Sequence, residues 1–234
     1  MITLLAHRGS IVAGATATLP EEEAHHLRVR RAREGDVLRL ADGDGVIGRG
    51  VLVQGDRVAV HTVDRFHPPV PLSLAVAIAD KDRWGTLAEK AAELGVTELI
   101  PLETERSAGV ASRLRAEHLP RIQRRALEAI KQSGTAWAPV VQPMVSIEEL
   151  IAQPFSGVRW LADVAGVETA LAGPETALQG VIGPEGGFTE RERRILVDGG
   201  FTPIRLGPLT MRFETAALAM AVVGGARRQE EQVV

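Results

Sequence analysis

The segments VIGPEGG (residues 181–187) and LGPLTMRFETA (residues 206–216) decide the fold expected for this chain. In each segment an apolar run ends in glycine, as a buried strand ends in a loop, and the loop then leads into a helix-like stretch. Because glycine has no Cβ atom, main-chain N–H and C=O groups can approach a ligand closely there. Two such loops side by side would form a pocket that suits a nucleotide-like cofactor, without identifying which one.

The chain around these two loops alternates between strand and helix patterns. Residues 72–79 (LSLAVAIA) form a continuous apolar run, which is typical of a strand buried on both faces. Thr189 and Glu192 have the spacing of a capping box, which predicts a helix that begins at Glu190 and ends near Gly199. This alternation predicts a parallel α/β sheet with ligands at the carboxyl ends of its strands, where both glycine loops fall. Similar patterns predict helices at 85–94, 120–132 and 214–223 and strands at 96–101, 158–162, 180–183 and 203–207.

The N-terminal part is rich in strand patterns. Over residues 1–66, short apolar segments are separated by Asp and Gly, and the proline-rich FHPPVP (66–71) reads as a linker. We therefore expect two domains, at 1–68 and 72–234. The GxGxxG pattern at 43–48 (GDGVIG) is followed by a strand-like run instead of a helix, so it predicts a hairpin turn and not a dinucleotide site.

Composition excludes several functional classes. The chain has 234 residues, a formal net charge of −3 and an apolar fraction of 45%, all ordinary for a globular protein. It contains no cysteine, which excludes disulfides, thiolate catalysis and cysteine-based zinc sites. Its histidines lack ligand spacing, so no metal site is predicted. No apolar run reaches membrane-spanning length and no signal peptide is evident, so we expect a cytoplasmic protein.

Local charge leaves two interpretations open. Arg28, Arg30, Arg31 and Arg33 are close in sequence, and a second group of basic residues lies at 113–131. These groups either form solvated faces or contact phosphate, whose oxygens fit the guanidinium fork.

The two glycine loops also have alternative interpretations. GPEGG (183–187) is compatible with a tight turn that feeds a capped helix. Beside the second loop, Arg212, Glu214 and Thr215 lie at the start of an alanine-rich helix, where charges are costly unless they are paired or used. Arg212 and Glu214 therefore form either a structural ion pair or a pair that faces a substrate.

Five motifs, in order, resemble the RsmE family of bacterial methyltransferases, which belong to the SPOUT superfamily and modify N3 of a uridine in 16S ribosomal RNA. The match covers nearly the full length, and the five together are highly specific, whereas each alone is weak. The motifs are HHLRVRRAREGDVLRLADGDG (25–45), KDRWGTLAEKAAELGVTELIPLETERS (81–107), ALEAIKQSG (126–134), IGPEGGFTERE (182–192) and LGPLTMRFETAALA (206–219).

The resemblance implies both an architecture and a cofactor. Residues 1–68 would form a PUA-like β-barrel that binds RNA, and residues 72–234 a SPOUT α/β domain with a deep trefoil knot. Family members are homodimers and hold S-adenosylmethionine in the knot loops. The residues that would surround this cofactor are Leu161, Ile182, Gly183, Pro184, Glu185, Gly186, Leu206, Gly207, Met211 and Phe213.

The implied reaction suggests roles for the charged residues. Arg212 would stabilise a deprotonated uracil, Glu214 would orient Arg212 or accept the N3 proton, and Thr215 would form a hydrogen bond nearby. Because N3 lies on the Watson–Crick edge, the target base must be unpaired or flipped out. The residues expected to hold the RNA are Arg8, Arg28, Arg30, Arg31 and Arg106.

The chain departs from the family pattern at three places. Phe213 replaces a threonine, Thr135 replaces an arginine, and Arg8 is the candidate to replace an N-terminal Arg-Phe pair. Two alternatives therefore stay open: a non-catalytic RNA-binding protein, and a SPOUT enzyme that acts on transfer RNA or on another ribosomal position.

Overall fold

The computed structural model describes residues 1–107, 112–168 and 176–225. Among these residues, one compact unit contains 1–69 and 127–138, and a second contains the remainder of 70–225. The chain first passes between the units at Pro69 and Val70, inside the proline-rich segment. None of the described helices is long and apolar enough to span a bilayer.

The first unit contains a curled, half-barrel sheet. Its elements from residues 1–69 are β1 (Ile2–Leu5), β2 (Thr16–Thr18), α1 (Glu21–Val29), β3 (Val37–Ala41), β4 (Val46–Gln54) and β5 (Arg57–Arg65). The five strands follow the order β1-β3-β4-β5-β2, in which only β1 and β3 pair in parallel. The resemblance implied a β-barrel, whereas this sheet keeps β1 and β2 at its two edges.

The turn between β3 and β4 confirms the hairpin predicted from GDGVIG. The two strands are antiparallel, and Oδ1 of Asp42 accepts hydrogen bonds from the main-chain N–H groups of Asp44 (2.8 Å) and Val46 (3.1 Å). Gly43 and Gly45 adopt φ values of 72° and 87°, which glycine tolerates without strain. This glycine pattern therefore serves a tight turn.

Residues 127–138 complete the core of the first unit. Ile130 and Ala136 pack with Leu5, Ala41 and Ile47 in one buried cluster. A neighbouring contact is ionic, because Nζ of Lys131 lies 2.8 Å from Oε1 of Glu23 and also pairs with Glu128. The Glu23 side chain is only 4% exposed, so Lys131 is the partner that offsets the cost of its burial.

Replacing Lys131 with methionine is expected to lower the free energy of unfolding by about 3 kcal/mol, since it leaves the buried carboxylate of Glu23 unpaired. Burial opposes the charge of Lys131, but the hydrogen bonds that it donates to Glu128 and Glu23 hold its pKa above the ordinary value of 10.5. A raised pKa in the folded state contributes stability below pH 10.5 that is lost as the pH rises through the folded value. Urea denaturation measures the free energy of unfolding of the wild type and the variant. The difference between the two values should be largest at neutral pH and should decrease above pH 10.5.

The control for this prediction is Glu128→Gln, because the Glu128 side chain is 38% exposed and its loss should matter little. An equal loss of stability in both variants, or a difference that does not change with pH, would contradict the role given to Lys131.

The second unit is built on a parallel six-stranded sheet in the order β11-β9-β10-β6-β7-β8. Residues of α3 from Leu127 onward group with the first unit. The elements are β6 (Leu72–Ala77), α2 (Lys81–Glu93), β7 (Glu98–Leu102), α3 (Leu119–Ser133), β8 (Val140–Val141), α4 (Ile147–Ala152), β9 (Val158–Glu168), β10 (Leu178–Ile182), α5 (Glu190–Asp198), β11 (Thr202–Arg205) and α6 (Phe213–Gly225).

Helices cover both faces of this sheet, which explains the apolar run of β6. Leu72, Leu74 and Val76 pack in the cluster that contains residues of α2, α3 and α6. Ala75 points to the opposite face and packs in the cluster that contains residues of α4 and α5. The predicted parallel α/β sheet is thereby confirmed. The sequence patterns did not predict α1, α4 or β8, and they placed the end of β9 at residue 162 instead of Glu168.

Candidate active site

A cleft of about 540 Å³ lies at the carboxyl ends of β10 and β11 and beside residues 161–165 of β9. Both glycine loops line it, the first after β10 and the second after β11. This volume is in the usual range of small-molecule sites. Every residue that the sequence assigned to cofactor binding contributes to its wall: Leu161, Ile182, Gly183, Pro184, Glu185, Gly186, Leu206, Gly207, Met211 and Phe213.

The glycines of these loops leave room that a side chain would fill. A Cβ atom on Gly183 would lie 2.9 Å from the ring of Phe188, and one on Gly207 would lie 2.6 Å from Cε of Met211. Phe188 and Met211 also line the cleft. The missing Cβ atoms therefore let two apolar side chains pack onto the loop backbone, and the cradle suits a flat ligand that is held largely by main-chain groups.

One ion pair in the cleft wall was not found from the sequence. Nε of Arg193 donates to Oδ2 of Asp163 at 2.7 Å, and Oδ1 of Asp163 accepts the N–H of Ala165 at 2.8 Å. Burial opposes ionisation of Asp163, but these hydrogen bonds hold its pKa below the ordinary value, while Asp163 raises the pKa of Arg193. Both groups are therefore charged at neutral pH. No local pattern signals the pair, because β9 and α5 supply one partner each.

The predicted catalytic residues lie next to the cleft wall but do not form it. Arg212 stands in sequence between the lining residues Met211 and Phe213, and its side chain is exposed. Thr215 is exposed and Glu214 is partly buried on the first turn of α6. In the described part of the chain no ion pair joins Arg212 and Glu214, so the structural bond considered for them is absent. Oε2 of Glu214 is buried without a hydrogen-bond partner.

The arginines predicted to hold RNA belong to both units. Arg28 and Arg30 are exposed at the end of α1, and Arg31 follows with a φ of 54°. Arg8 is exposed as well, with Nη2 lying 3.6 Å from Oδ1 of Asp44. Arg106 lies in the second unit, where its Nη1 donates to the carbonyl oxygen of Gly186 at 2.5 Å.

Comparisons with family models divide the chain into two known parts. A model of the RNA methyltransferase domain matches residues 67–223, and a model of the RNA methyltransferase PUA domain matches residues 19–61. Together these define an RNA methyltransferase with an N-terminal PUA domain.

Individual relatives narrow this class. The ribosomal RNA small subunit methyltransferase E of Synechocystis is 31% identical over 225 residues, which are 86% of this chain and 70% of that protein. The protein of the same name from Mycobacterium tuberculosis is 30% identical over 230 residues, with 90% of this chain and 87% of that protein covered. The Neisseria gonorrhoeae ribosomal RNA small subunit methyltransferase E, solved with bound S-adenosyl methionine, is 28% identical, covers 95% of both chains and superposes with a TM-score of 0.84. The chain belongs to the ribosomal RNA small subunit methyltransferase E family.

Proposed function

We propose that this protein transfers a methyl group from S-adenosylmethionine to N3 of a uridine in 16S ribosomal RNA. The observation that carries the proposal is the cleft that both glycine loops line at the carboxyl ends of parallel strands. Membership of the small subunit methyltransferase E family supports the substrate class. Binding of S-adenosyl methionine by the Neisseria gonorrhoeae relative supports the cofactor.

The residues of the cleft fit this cofactor. Main-chain groups of residues 183–186 and of Leu206 and Gly207, all of which line the cleft, would hold it. Leu161, Met211 and Phe213 supply apolar surface for its ring system. When bound, S-adenosylmethionine supplies a methyl group that its sulfonium makes electrophilic. Phe213 occupies the place of a family threonine, so apolar contact replaces a hydroxyl there.

The chain's own charged residues act on the uracil. Uracil N3 carries a proton and becomes nucleophilic only when this proton leaves. The exposed guanidinium of Arg212 stabilises the negative charge that then spreads to the ring oxygens. Glu214 has a buried Oε2 without a partner, so it either accepts the proton or orients Arg212 once substrate is bound. Thr215, on the same turn of α6, would add a hydrogen bond.

The exposed arginines of the first unit suit the RNA backbone. Arg8, Arg28, Arg30 and Arg31 present guanidinium groups that neutralise phosphate and fix the RNA without reading its sequence. The target uridine must be unpaired or flipped out, because its N3 is inaccessible in a base pair.

The finer architecture follows from the same family membership. We propose that residues 1–68, together with residues 127–138 that group with them, form a PUA-like domain, and that the remainder of 72–234 forms a SPOUT domain with a trefoil knot. We also propose that the protein is a homodimer in the cytoplasm. The apolar side chains of Leu209 and Val222, which are 76% and 52% exposed, supply surface for a second copy of the chain. Size-exclusion chromatography with light scattering tests the dimer.

The proposed function is tested with 30S subunits from a bacterial strain that lacks this gene's counterpart. We expect the purified protein and S-adenosylmethionine to add one methyl group to a single uridine of 16S ribosomal RNA, detected by mass spectrometry of nuclease fragments. Methylation of transfer RNA instead would contradict the substrate. Failure to bind S-adenosylmethionine in calorimetry, with RNA binding retained, would identify a non-catalytic RNA-binding protein.

A further inference from the structure

Two arginines, Arg83 and Arg106, form polar contacts with the first glycine loop. Nη1 of Arg106 donates to the carbonyl oxygens of Gly186 at 2.5 Å and Phe188 at 3.4 Å. Nη1 of Arg83, on the first turn of α2, lies 2.6 Å from Oε1 of Glu185. Neither arginine lines the cleft, whereas Glu185, Gly186 and Phe188 all do. The two arginines therefore contact the loop without forming part of the cleft wall.

The turn that carries Arg106 is itself fixed. Its neighbour Glu105 donates a main-chain N–H to Oε1 of Glu192 at 2.8 Å. Oε2 of Glu192 accepts the N–H of Thr189 at 2.8 Å, which completes the capping box at the start of α5. Glu192 is only 5% exposed, so this carboxylate joins two backbone segments in a buried setting. The hydrogen bonds of Glu192 thus fix the turn from which Arg106 reaches the loop.

The contact of Arg83 is weaker by comparison. Asp80 caps α2 by accepting the N–H groups of Asp82 and Arg83, and its hydrogen bond with Ser112 contributes most to holding its pKa below the ordinary value. The start of α2 is therefore ordered. However, the side chains of Arg83 and Glu185 are 39% and 62% exposed, and such pairs contribute little in water. Arg106 is exposed as well, but it is the principal anchor because it donates to two main-chain carbonyl groups of the loop, whereas Arg83 contacts one exposed carboxylate.

We propose that Arg106 is a positioning residue of the cofactor cleft. Its guanidinium holds the carbonyl groups of Gly186 and Phe188, so the loop at 183–188 keeps the shape that lines the cleft. This role competes with the RNA contact predicted for Arg106 from the sequence. The choice of S-adenosylmethionine as the ligand rests on the proposed function. The predicted effect of Arg106 on the shape of the loop does not.

The role is tested by Arg106→Ala and Arg106→Lys, with Arg191→Ala as the matched control. Arg191 is a neighbouring exposed arginine that, among the described residues, pairs with the carboxylates of Glu105 at 3.3 Å and Glu148 at 3.5 Å and not with the loop at 183–188. Loss of charge-assisted hydrogen bonds should raise the Kd for S-adenosylmethionine about tenfold in Arg106→Ala, measured by calorimetry without RNA. Arg106→Lys retains the charge that phosphate needs but not the planar donor geometry, so its Kd should also rise.

Three readouts separate positioning from RNA contact. We expect the KM for S-adenosylmethionine to rise in the Arg106 variants while the KM for RNA stays within twofold of that of Arg191→Ala. An unchanged Kd for S-adenosylmethionine with a raised KM for RNA would overturn the proposal. Hydrogen exchange of the ligand-free protein should be faster at the amides of residues 183–188 in Arg106→Ala. Hydrogen exchange tests the positioning role even if the wild type binds no S-adenosylmethionine. Such a lack of binding would refute the proposed function but not the role of Arg106.

Discussion

Arg212→Ala is expected to slow methyl transfer about 10²–10³-fold while binding of S-adenosylmethionine survives. Arg212 is exposed and absent from the cleft wall, although Met211 and Phe213 on either side of it line the cleft. We propose that its guanidinium acts on the substrate and not on the cofactor. Removing one group that stabilises developing negative charge typically lowers kcat by about 10²–10³-fold. Single-turnover assays with excess enzyme measure this loss directly.

The matched control is Arg194→Ala, since Arg194 is an exposed arginine on α5 that does not line the cleft. Its removal changes the net charge equally and should leave turnover intact. Calorimetry with S-adenosylmethionine should give similar Kd values for both variants. Full methylation by Arg212→Ala would remove Arg212 from the mechanism, and a large rise in its Kd would reassign it to cofactor binding.

Gly183→Ala is expected to raise the Kd for S-adenosylmethionine about tenfold to a hundredfold. This range corresponds to the cost of about 1–3 kcal/mol that an extra methyl group causes in a packed site. The new Cβ would lie 2.9 Å from the ring of Phe188, closer than packed carbon atoms allow. The ring must then move, and Phe188 is part of the cleft wall. Calorimetry measures the loss, and a thermal melt of the ligand-free protein shows whether the fold survives.

A double-mutant cycle isolates this steric cause. Phe188→Leu removes the ring that the new Cβ would meet, so adding Gly183→Ala to it should cost much less than adding it to the wild type. Strictly additive losses would place the effect of Gly183 elsewhere, for example in the backbone conformation of the loop.

The cleft was predictable because its determinants are local. Apolar runs that end in glycine mark where β10 and β11 finish, and the carboxyl ends of parallel strands meet at one edge of a sheet. The contacts that hold the first loop are not local. Arg83 and Glu185 lie 102 positions apart, and Arg106 and Gly186 lie 80 apart. Pairing at such distances depends on the folded topology, which no periodicity encodes.

The helices that the sequence patterns missed have weak apolar stripes. Helix α1 buries only Glu23, Ala24 and Leu27, and one of these is charged, so its pattern resembles a solvated segment. Helix α4 spans only Ile147–Ala152, too short for a helical period to emerge, although Ser146 and Glu149 form a complete capping box. The capping box was therefore the more informative signal for α4, whereas α1 begins after Pro20 without a side-chain cap.

The membership of residues 127–138 in the first unit limits how this protein can be recombined with its relatives. A graft of residues 1–69 onto another enzyme would expose Leu5, Ala41 and Ile47 to water and would leave the Glu23 carboxylate without its lysine. The first unit is thus discontinuous in sequence, and a transplant of it must include both stretches of chain.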